Sequence, residues 1–291
     1  MFFNQESPDV KLHSVFDFKI SDESAPLLPD PEDPSVQIWR DYCGKECAYA
    51  YETSKDYWLH FAGTATYKID RSSNSICGYP DSFSTHERVL DLYTRIVLPI
   101  ALHIHGTQVL HASAILTRFG VAAFCAMSET GKSTIAFALS QRGYHQWADD
   151  AVPFKIRNRR VDALPFIFDR RIHSKTAAHL GLKGKVIDHE NHSEPVPLSI
   201  LFVLHRMNET QTEPIKIHRL SPPQAFRSVL LHAHFFNLNS TELKKAMLAS
   251  YMDLTSLVPA VEIHFQPGFD KLPVLLDEIE RNLESTLAGI K

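Results

Sequence analysis

One stretch in the middle of the chain, Val121 to Asp150 (VAAFCAMSETGKSTIAFALSQRGYHQWADD), constrains the fold more than any other. Val121–Cys125 is an apolar run of strand length, and Ala126–Ser133 (AMSETGKS) is small and polar. Thr134–Gln141 is rich in strong helix formers, with Ile135, Phe137, Ala138 and Leu139 available for packing. Gly143 stands just past the predicted helix, where a left-handed cap falls. His145–Ala148 re-enters as a strand, with Asp149 and Asp150 at its carboxyl end. The order strand, loop, helix, strand predicts an α/β core.

The loop nearly matches the phosphate-binding pattern G-x-x-x-x-G-K-[ST]. In such a loop successive backbone N–H groups and the positive end of the next helix face a phosphate. The candidate nucleotide-binding residues are Ser128, Glu129, Thr130, Gly131, Lys132, Ser133 and Thr134. Gly131 lets the backbone approach the phosphate closely. Lys132 reaches the β and γ phosphates, the Ser133 hydroxyl is a candidate Mg2+ ligand, and Thr134 supports the helix start. Ala126 occupies the pattern's first glycine position, so the turn requires a negative φ there. The competing reading is a Ser/Thr-rich helix start with no ligand.

At 291 residues the chain suits one large domain or slightly more. Hydrophobic residues make up 44% and charged residues 22%, as in globular proteins with a sizeable core. The net charge of −4 argues against a general nucleic-acid or membrane-surface protein. No apolar run approaches the roughly 18 residues of a membrane span. The opening MFFNQESPDVKLHS lacks the basic and apolar regions of a secretory signal, so a cytoplasmic location is expected.

The four cysteines fit a reducing compartment. Cys43 and Cys47 are spaced like half a zinc site, against the simpler reading of incidental thiols. Most of the sixteen histidines stand singly, as surface or hydrogen-bonded core residues do. His103 and His105 alternate on an expected strand and would share a face. That suits a metal pair, though a structural role is the simpler reading.

Ahead of the central stretch, residues 13 to 83 read as a small β-rich region. Val10–Ile20 and Val36–Arg40 are candidate strands, Tyr57–Ala62 and Thr64–Asp70 form a hairpin around Gly63, and a short strand follows near Ile76. Its expected role is structural, covering an edge of the next sheet. Thr85–Leu102 is a strong helix, with Val89, Leu90, Leu92, Tyr93, Ile96, Val97, Ile100 and Ala101 at helical spacing and Pro99 near its end. Leu110–Ile115 is a strand feeding the central stretch through the turn Thr117–Gly120, which brings His111 to the loop's mouth. Beyond Asp150, Ala151–Arg157 and Arg160–Leu164 predict a hairpin. Thr176–Leu180 predicts a short helix, and Lys183–Glu194 a polar loop. Leu198–Arg206 is a buried strand, followed by a strand over Pro214–Leu220. Helices begin after Ser221 and Ser240. Val261–Phe265 is a strand, and Phe269–Leu287 is a closing helix with Leu272, Leu275, Leu276, Ile279 and Leu283 on one face. The expected division is 1–84 for the β-rich region and 85–291 for the rest.

A phosphate loop, a double Asp on the next strand and a His on the preceding one supply the side chains that phosphoryl transfer uses: a cation clamp, a metal ligand and a base. Asp149 alternatively holds metal only, and His111 is alternatively a buried structural histidine. This constellation resembles the HPr kinase/phosphorylase family. The matching residues are Leu110-His111-Ala112-Ser113-Ala114, Ser128 to Thr134, Gln141-Arg142-Gly143-Tyr144 and Ala148-Asp149-Asp150. The Pro197–Arg206 strand and Val258-Pro259 make it most similar to the branch of lasso-peptide precursor kinases. The N-terminal β region resembles that branch too.

The resemblance implies an HPr kinase-like P-loop kinase core and an ATP- and Mg2+-dependent serine kinase acting on a peptide or small protein. It gives Asp149 as base, His111 as its partner, Lys132 as phosphate clamp, and Ser133 with Asp150 as metal ligands; the two Asp roles are exchangeable. Arg170 and Arg171 lie where the family has a basic residue near the active site, to hold phosphate or an acidic peptide, or else they form a solvated pair. Family members are oligomeric, which leaves a homo-oligomer open. Ala126 and Glu129 replace glycines common in the family's loop, and the family's basic Gly-Leu-Gly stretch has no counterpart here. HPr itself and phosphorolysis are therefore not expected. The competing functions are a nucleotide-binding regulatory or assembly protein without transfer activity, and a small-molecule kinase.

Overall fold

The computed structural model describes residues 16–26, 28–30, 32–40, 44–166, 194–208, 213–234 and 240–287. Arg170 and Arg171, the predicted helix at Thr176–Leu180, most of the loop before Glu194, and Cys43 lie outside the described residues. The chain forms two compact units: the first holds the described residues up to Gly106 with 240–243, the second Thr107–His234 and Lys244 onward. The boundary expected from sequence, between 84 and 85, differs from this division by the helical segment that follows it.

In the first unit, β1 (Asp17–Ile20), β2 (Gln37–Arg40), β3 (Glu46–Glu52), β4 (Asp56–Phe61), β5 (Ala65–Asp70) and β6 (Ser75–Pro80) form a six-stranded sheet in the order β1-β6-β5-β4-β3-β2. The β4–β5 hairpin turns at Gly63, whose φ of 73° suits glycine. Strand β3 has no counterpart in the elements predicted from sequence. Its inward residues are Ala48 and Ala50, too small to give a clear alternation of apolar and polar positions.

A continuous helical run follows: α1 (His86–Leu92), a π-helical turn (Tyr93–Val97) and α2 (Leu98–Ile104). The Leu98 N–H reaches back to Tyr93 O, directly ahead of Pro99, which has no N–H to donate to the ladder. Val89, Tyr93, Val97, Ile100 and Ala101 are buried as the helical spacing predicts, whereas Leu90 is half exposed. The histidine pair expected on a strand is helical instead. His103 lies in the last turn of α2 and His105 is its C-cap, so they do not alternate on a strand. The apolar LPIALHI run keeps the chain helical past Leu102.

The second unit is built on a nine-stranded sheet, counted among the described residues. Its elements are β7 (Gln108–Leu110), β8 (Ala112–Thr117), β9 (Gly120–Cys125), α3 (Lys132–Ser140), β10 (His145–Ala148), β11 (Val152–Arg157), β12 (Arg160–Ala163), β13 (Val196–Arg206), β14 (Ile215–Leu220), α4 (Pro222–Leu230), α5 (Thr241–Leu257, from Lys244 onward), β15 (Ala260–Phe265) and α6 (Leu272–Leu287). The order is β10-β8-β9-β13-β12-β11-β7, with β15 pairing β13 and β14. Strands β9, β13 and β15 run parallel. The mixed α/β character predicted from the central stretch is present.

The single strand predicted over Leu110–Ile115 is instead two. β7 pairs with β11, and β8 pairs with β9 and β10. His111 sits at the break, and its N–H donates to His232 O at 2.7 Å. One face of β9, β13 and β15 packs against α3 and α6. Phe124, Phe202, Ile135, Leu139, Leu275, Ile279 and Leu283 are buried there, each such side chain contributing roughly 1.5–3 kcal/mol. Arg142, after α3, bonds Asp277 and Glu280 of α6 at 2.7 and 2.6 Å, fixing the two helices at their solvent edge. Gly120 has no substitute at the start of β9, since a Cβ there would lie 2.4 Å from Pro197 O. Among the described residues no helix is long and apolar enough to cross a membrane.

Candidate functional site

The site forms where β9 gives way to α3. Ala126 leaves the strand without a positive φ, as the missing glycine required. Glu129 turns left-handed (φ 64°) with its side chain exposed, and Gly131 (φ 113°) is the N-cap of α3. Two bonds brace the loop: Thr130 N–H to Met127 O at 3.2 Å, and Arg206 Nε to Thr130 O at 3.0 Å. Ser128 is exposed, and Thr134 lies in the first turn of α3. The first backbone N–H groups of α3 have no carbonyl ahead of them in the helix, which is the basis of anion binding at such an end.

Lys132 is only 6% exposed. Its Nζ donates to Ala126 O at 2.8 Å and lies 3.2 Å from His111 Nε2. His111 Nδ1 lies 3.1 Å from the main-chain carbonyl of Asp150. A carbonyl only accepts, so Nδ1 carries the proton and Nε2 is left to accept from Lys132. Burial, then the neighbouring Lys132 and His234, push the His111 pKa down to about 3, so the ring is neutral. Burial also lowers the Lys132 pKa, opposed by Asp150, Cys125 and Asp149.

Asp149 is buried at 6% exposure. Its Oδ1 accepts from Ser113 Oγ at 2.6 Å and Ser133 Oγ at 2.8 Å. Burial raises its pKa to about 6; the Asp150 charge acts in the same direction and the two hydroxyls oppose it. Asp150 is half-buried with φ 66°, a left-handed backbone that Asp tolerates better than most residues. Its carbonyl lies within reach of two imidazoles, His111 Nδ1 and His234 Nε2 (3.3 Å), whose rings meet edge to face at 5.4 Å. The His232 pKa falls to about 4 through burial, then through Lys132 and His205.

The structure therefore gathers Lys132, Ser133, Asp149, Asp150 and His111. His111 reaches Lys132 and the main chain of Asp150, while the Asp149 carboxylate is held by Ser113 and Ser133. Sequence reasoning did not single out Ser113, Arg206, His232 or His234. Ser113 had a usable signal, because it follows His111 by two residues within LHASA. The two later histidines had none; they arrive through the turn after α4. Beside the loop, on the α6 side, lies a cleft of about 170 Å3 lined in part by Thr130, Gly131, Thr134, Arg206, Phe265 and Phe269.

No family model and no curated protein matches the chain. Among the solved structures with weak similarity to the chain is a kinase/phosphatase. That structure, the HPr(Ser) kinase/phosphatase from Coxiella burnetii, aligns with a TM-score of 0.34 and 16% identity over 62% of this chain and 99% of its own. So low a score carries no functional argument, and the function rests on the side chains above.

Proposed function

We propose that this chain is an ATP- and Mg2+-dependent phosphotransferase that phosphorylates a serine hydroxyl of a peptide or small protein. One observation carries the reading: loop and strand end are joined through a single carboxylate oxygen, with Ser133 and Ser113 both donating to Asp149. A hydroxyl and a carboxylate side by side are the hard oxygen donors that Mg2+ takes. Bound MgATP supplies the phosphoryl group and the cation that offsets its charge. Lys132, poised between Ala126 O and neutral His111, clamps the phosphates.

Two assignments of the carboxylates were open from sequence. The geometry supports the exchanged one, with Asp149 beside Ser133 as metal ligand and Asp150 as base. Asp149 Oδ1 already shares the Ser133 hydroxyl, whereas Asp150 is the less buried of the two. Its backbone is anchored by His111 and His234, which fixes where its carboxylate starts. In this scheme the acceptor O–H bond breaks as its proton passes to Asp150, the oxygen bonds to the phosphoryl group, and ADP leaves.

The test is transfer from labelled ATP to a panel of serine-containing peptides. Asp150→Asn should bind MgATP like wild type and transfer about 10²–10⁴-fold more slowly. Asp149→Asn should instead lose the magnesium dependence of nucleotide binding. Wild-type transfer by Asp150→Asn would sink the assignment of the base.

A second reading, a nucleotide-binding regulatory protein without transfer, draws on Glu129, which brings a carboxylate into the loop at a left-handed position. It predicts nucleotide binding by wild type and no labelled product with any peptide or small-molecule acceptor.

A further inference from the structure

We propose that His205, Glu262 and His264 form a site for a divalent transition-metal ion of the zinc type, distinct from the magnesium position at Ser133. The inference stands on β13 and β15 alone and does not rest on the kinase reading. These strands are parallel neighbours, and His205 is the register partner of His264. Glu262 precedes His264 by two residues, so all three side chains leave the same face of the sheet. The alternate residues Leu204, Ile263 and Phe265 point the other way, into the core against α3 and α6. Sequence order hides this grouping; strand pairing creates it.

The donor atoms converge. His205 Nε2 lies 3.1 Å from Glu262 Oε1, and His264 Nε2 lies 3.1 Å from Glu262 Oε2. All three ligand atoms fall within 4.8 Å of one another. Adjacent ligands about 2.1 Å from one metal ion sit roughly 3.0–3.4 Å apart, so small side-chain rotations complete the site. The two imidazole rings are stacked at 4.7 Å with their Nε2 ends turned to the same carboxylate. The His205 side chain is 42% exposed, yet its Nε2 is buried and makes no hydrogen bond of good geometry. That nitrogen is turned inward, towards the carboxylate, instead of towards water.

The plain alternative is a pair of histidine–carboxylate ion pairs. Partly exposed pairs of that kind are worth little, and they do not require both rings to aim one nitrogen at one point. Two imidazoles and a carboxylate match zinc, cobalt, nickel or copper better than magnesium. Three protein ligands leave at least one coordination position for water or an exogenous group. His218 on β14 is the register partner of Glu262, and its ring lies 6.2 Å from that of His264. It stands close enough to act as a fourth or outer partner.

The experiment uses the full chain stripped with a chelator. Zinc affinity is read by competition with a chromogenic chelator, and Co2+ is added as a spectroscopic probe. Wild type should take up one ion at this site. His264→Gln and Glu262→Gln should each weaken it by at least the 10–100-fold that losing even an outer partner costs. Bound Co2+ should show its visible bands without the charge-transfer band of a thiolate, and Cys47→Ser should change nothing. Zinc should raise the melting temperature of wild type and not of the variants. Glu262→Gln keeps the shape of the side chain, which guards against loss of the fold. Unchanged stoichiometry and affinity in both variants, or loss of binding in Cys47→Ser, would overturn the proposal.

Discussion

In the six-stranded sheet the large buried polar side chains are tyrosines, and each is an apolar body with one group to satisfy. Tyr67 is fully buried and its hydroxyl donates to Val89 O at 2.7 Å. In the unit built on the nine-stranded sheet, buried neutral groups such as Gln108, Gln146 and the Tyr251 phenol are joined by a cluster of ionisable ones: Lys132 and Asp149, with His111, His232 and His234 around them. A phenol buried with its hydrogen bond costs little, whereas a carboxylate or ammonium withdrawn from water is destabilising even when paired. The first arrangement is what stability alone selects. The second makes sense where a ligand supplies compensating charge, as MgATP would.

Several substitutions sharpen that contrast. The largest expected effect is on ligand binding. Ser133→Ala removes the hydroxyl shared with Asp149 and should cost more than tenfold in nucleotide affinity with magnesium and little without it, measured by calorimetry under both conditions. Equal losses with and without the metal would break the pairing of Ser133 with Asp149.

Next comes stability. Asp149 holds its proton up to about 6 in the folded chain, against a reference value of 3.8. The folded state therefore binds the proton more tightly, and wild type loses stability as pH rises from 3.8 to about 6. Asp149→Asn removes that loss. The variant should be the more stable form at pH 8 by up to about 3 kcal/mol, from roughly 1.4 kcal/mol per pKa unit, less what the two serine hydrogen bonds give up. The gain should vanish near pH 4, as read from melting curves at both pH values.

The histidines act in the opposite direction. His111, His232 and His234 have folded pKa values below 6.5, so their contribution is full above 6.5 and is lost as pH falls. Acid should loosen the nine-stranded unit first. Trp147, buried in β10, reports on that unit, and Trp58 in β4 reports on the other. Selective excitation of single-Trp variants should show the Trp147 signal moving at the higher pH. The smallest effect expected is Tyr67→Phe. It removes the side-chain donor to Val89 O, which keeps the Tyr93 N–H, and should cost about 0.5–1.5 kcal/mol of stability with no change in nucleotide affinity.

The same contrast explains what could be read in advance. Local pattern carried much of the fold. The apolar stripe of α6, the hairpin at Gly63 and the strand–loop–helix through Lys132 all follow from spacing along the chain. Strand β3 escaped because Ala48 and Ala50 pack well while giving little periodic signal. His103 and His105 were misplaced because alternation over a few residues does not separate a strand from a helix end. The break at His111 escaped for a different reason, since changing partners between β11 and β8 is a property of the sheet and not of the segment. The site divides in the same way. Lys132, Ser133, Asp149 and Asp150 belong to one local unit and were legible. His234 and the His205–Glu262–His264 cluster exist only after distant strands and turns come together.

The proposed function requires Lys132 and its loop to hold a nucleotide's phosphates. Its most direct test is calorimetric titration of MgATP into the wild-type chain and into Lys132→Ala. Saturable binding by wild type that disappears in the variant is the predicted result. No binding by wild type, or equal binding by both, would contradict it and leave the buried lysine, carboxylate and histidines without the ligand that accounts for them.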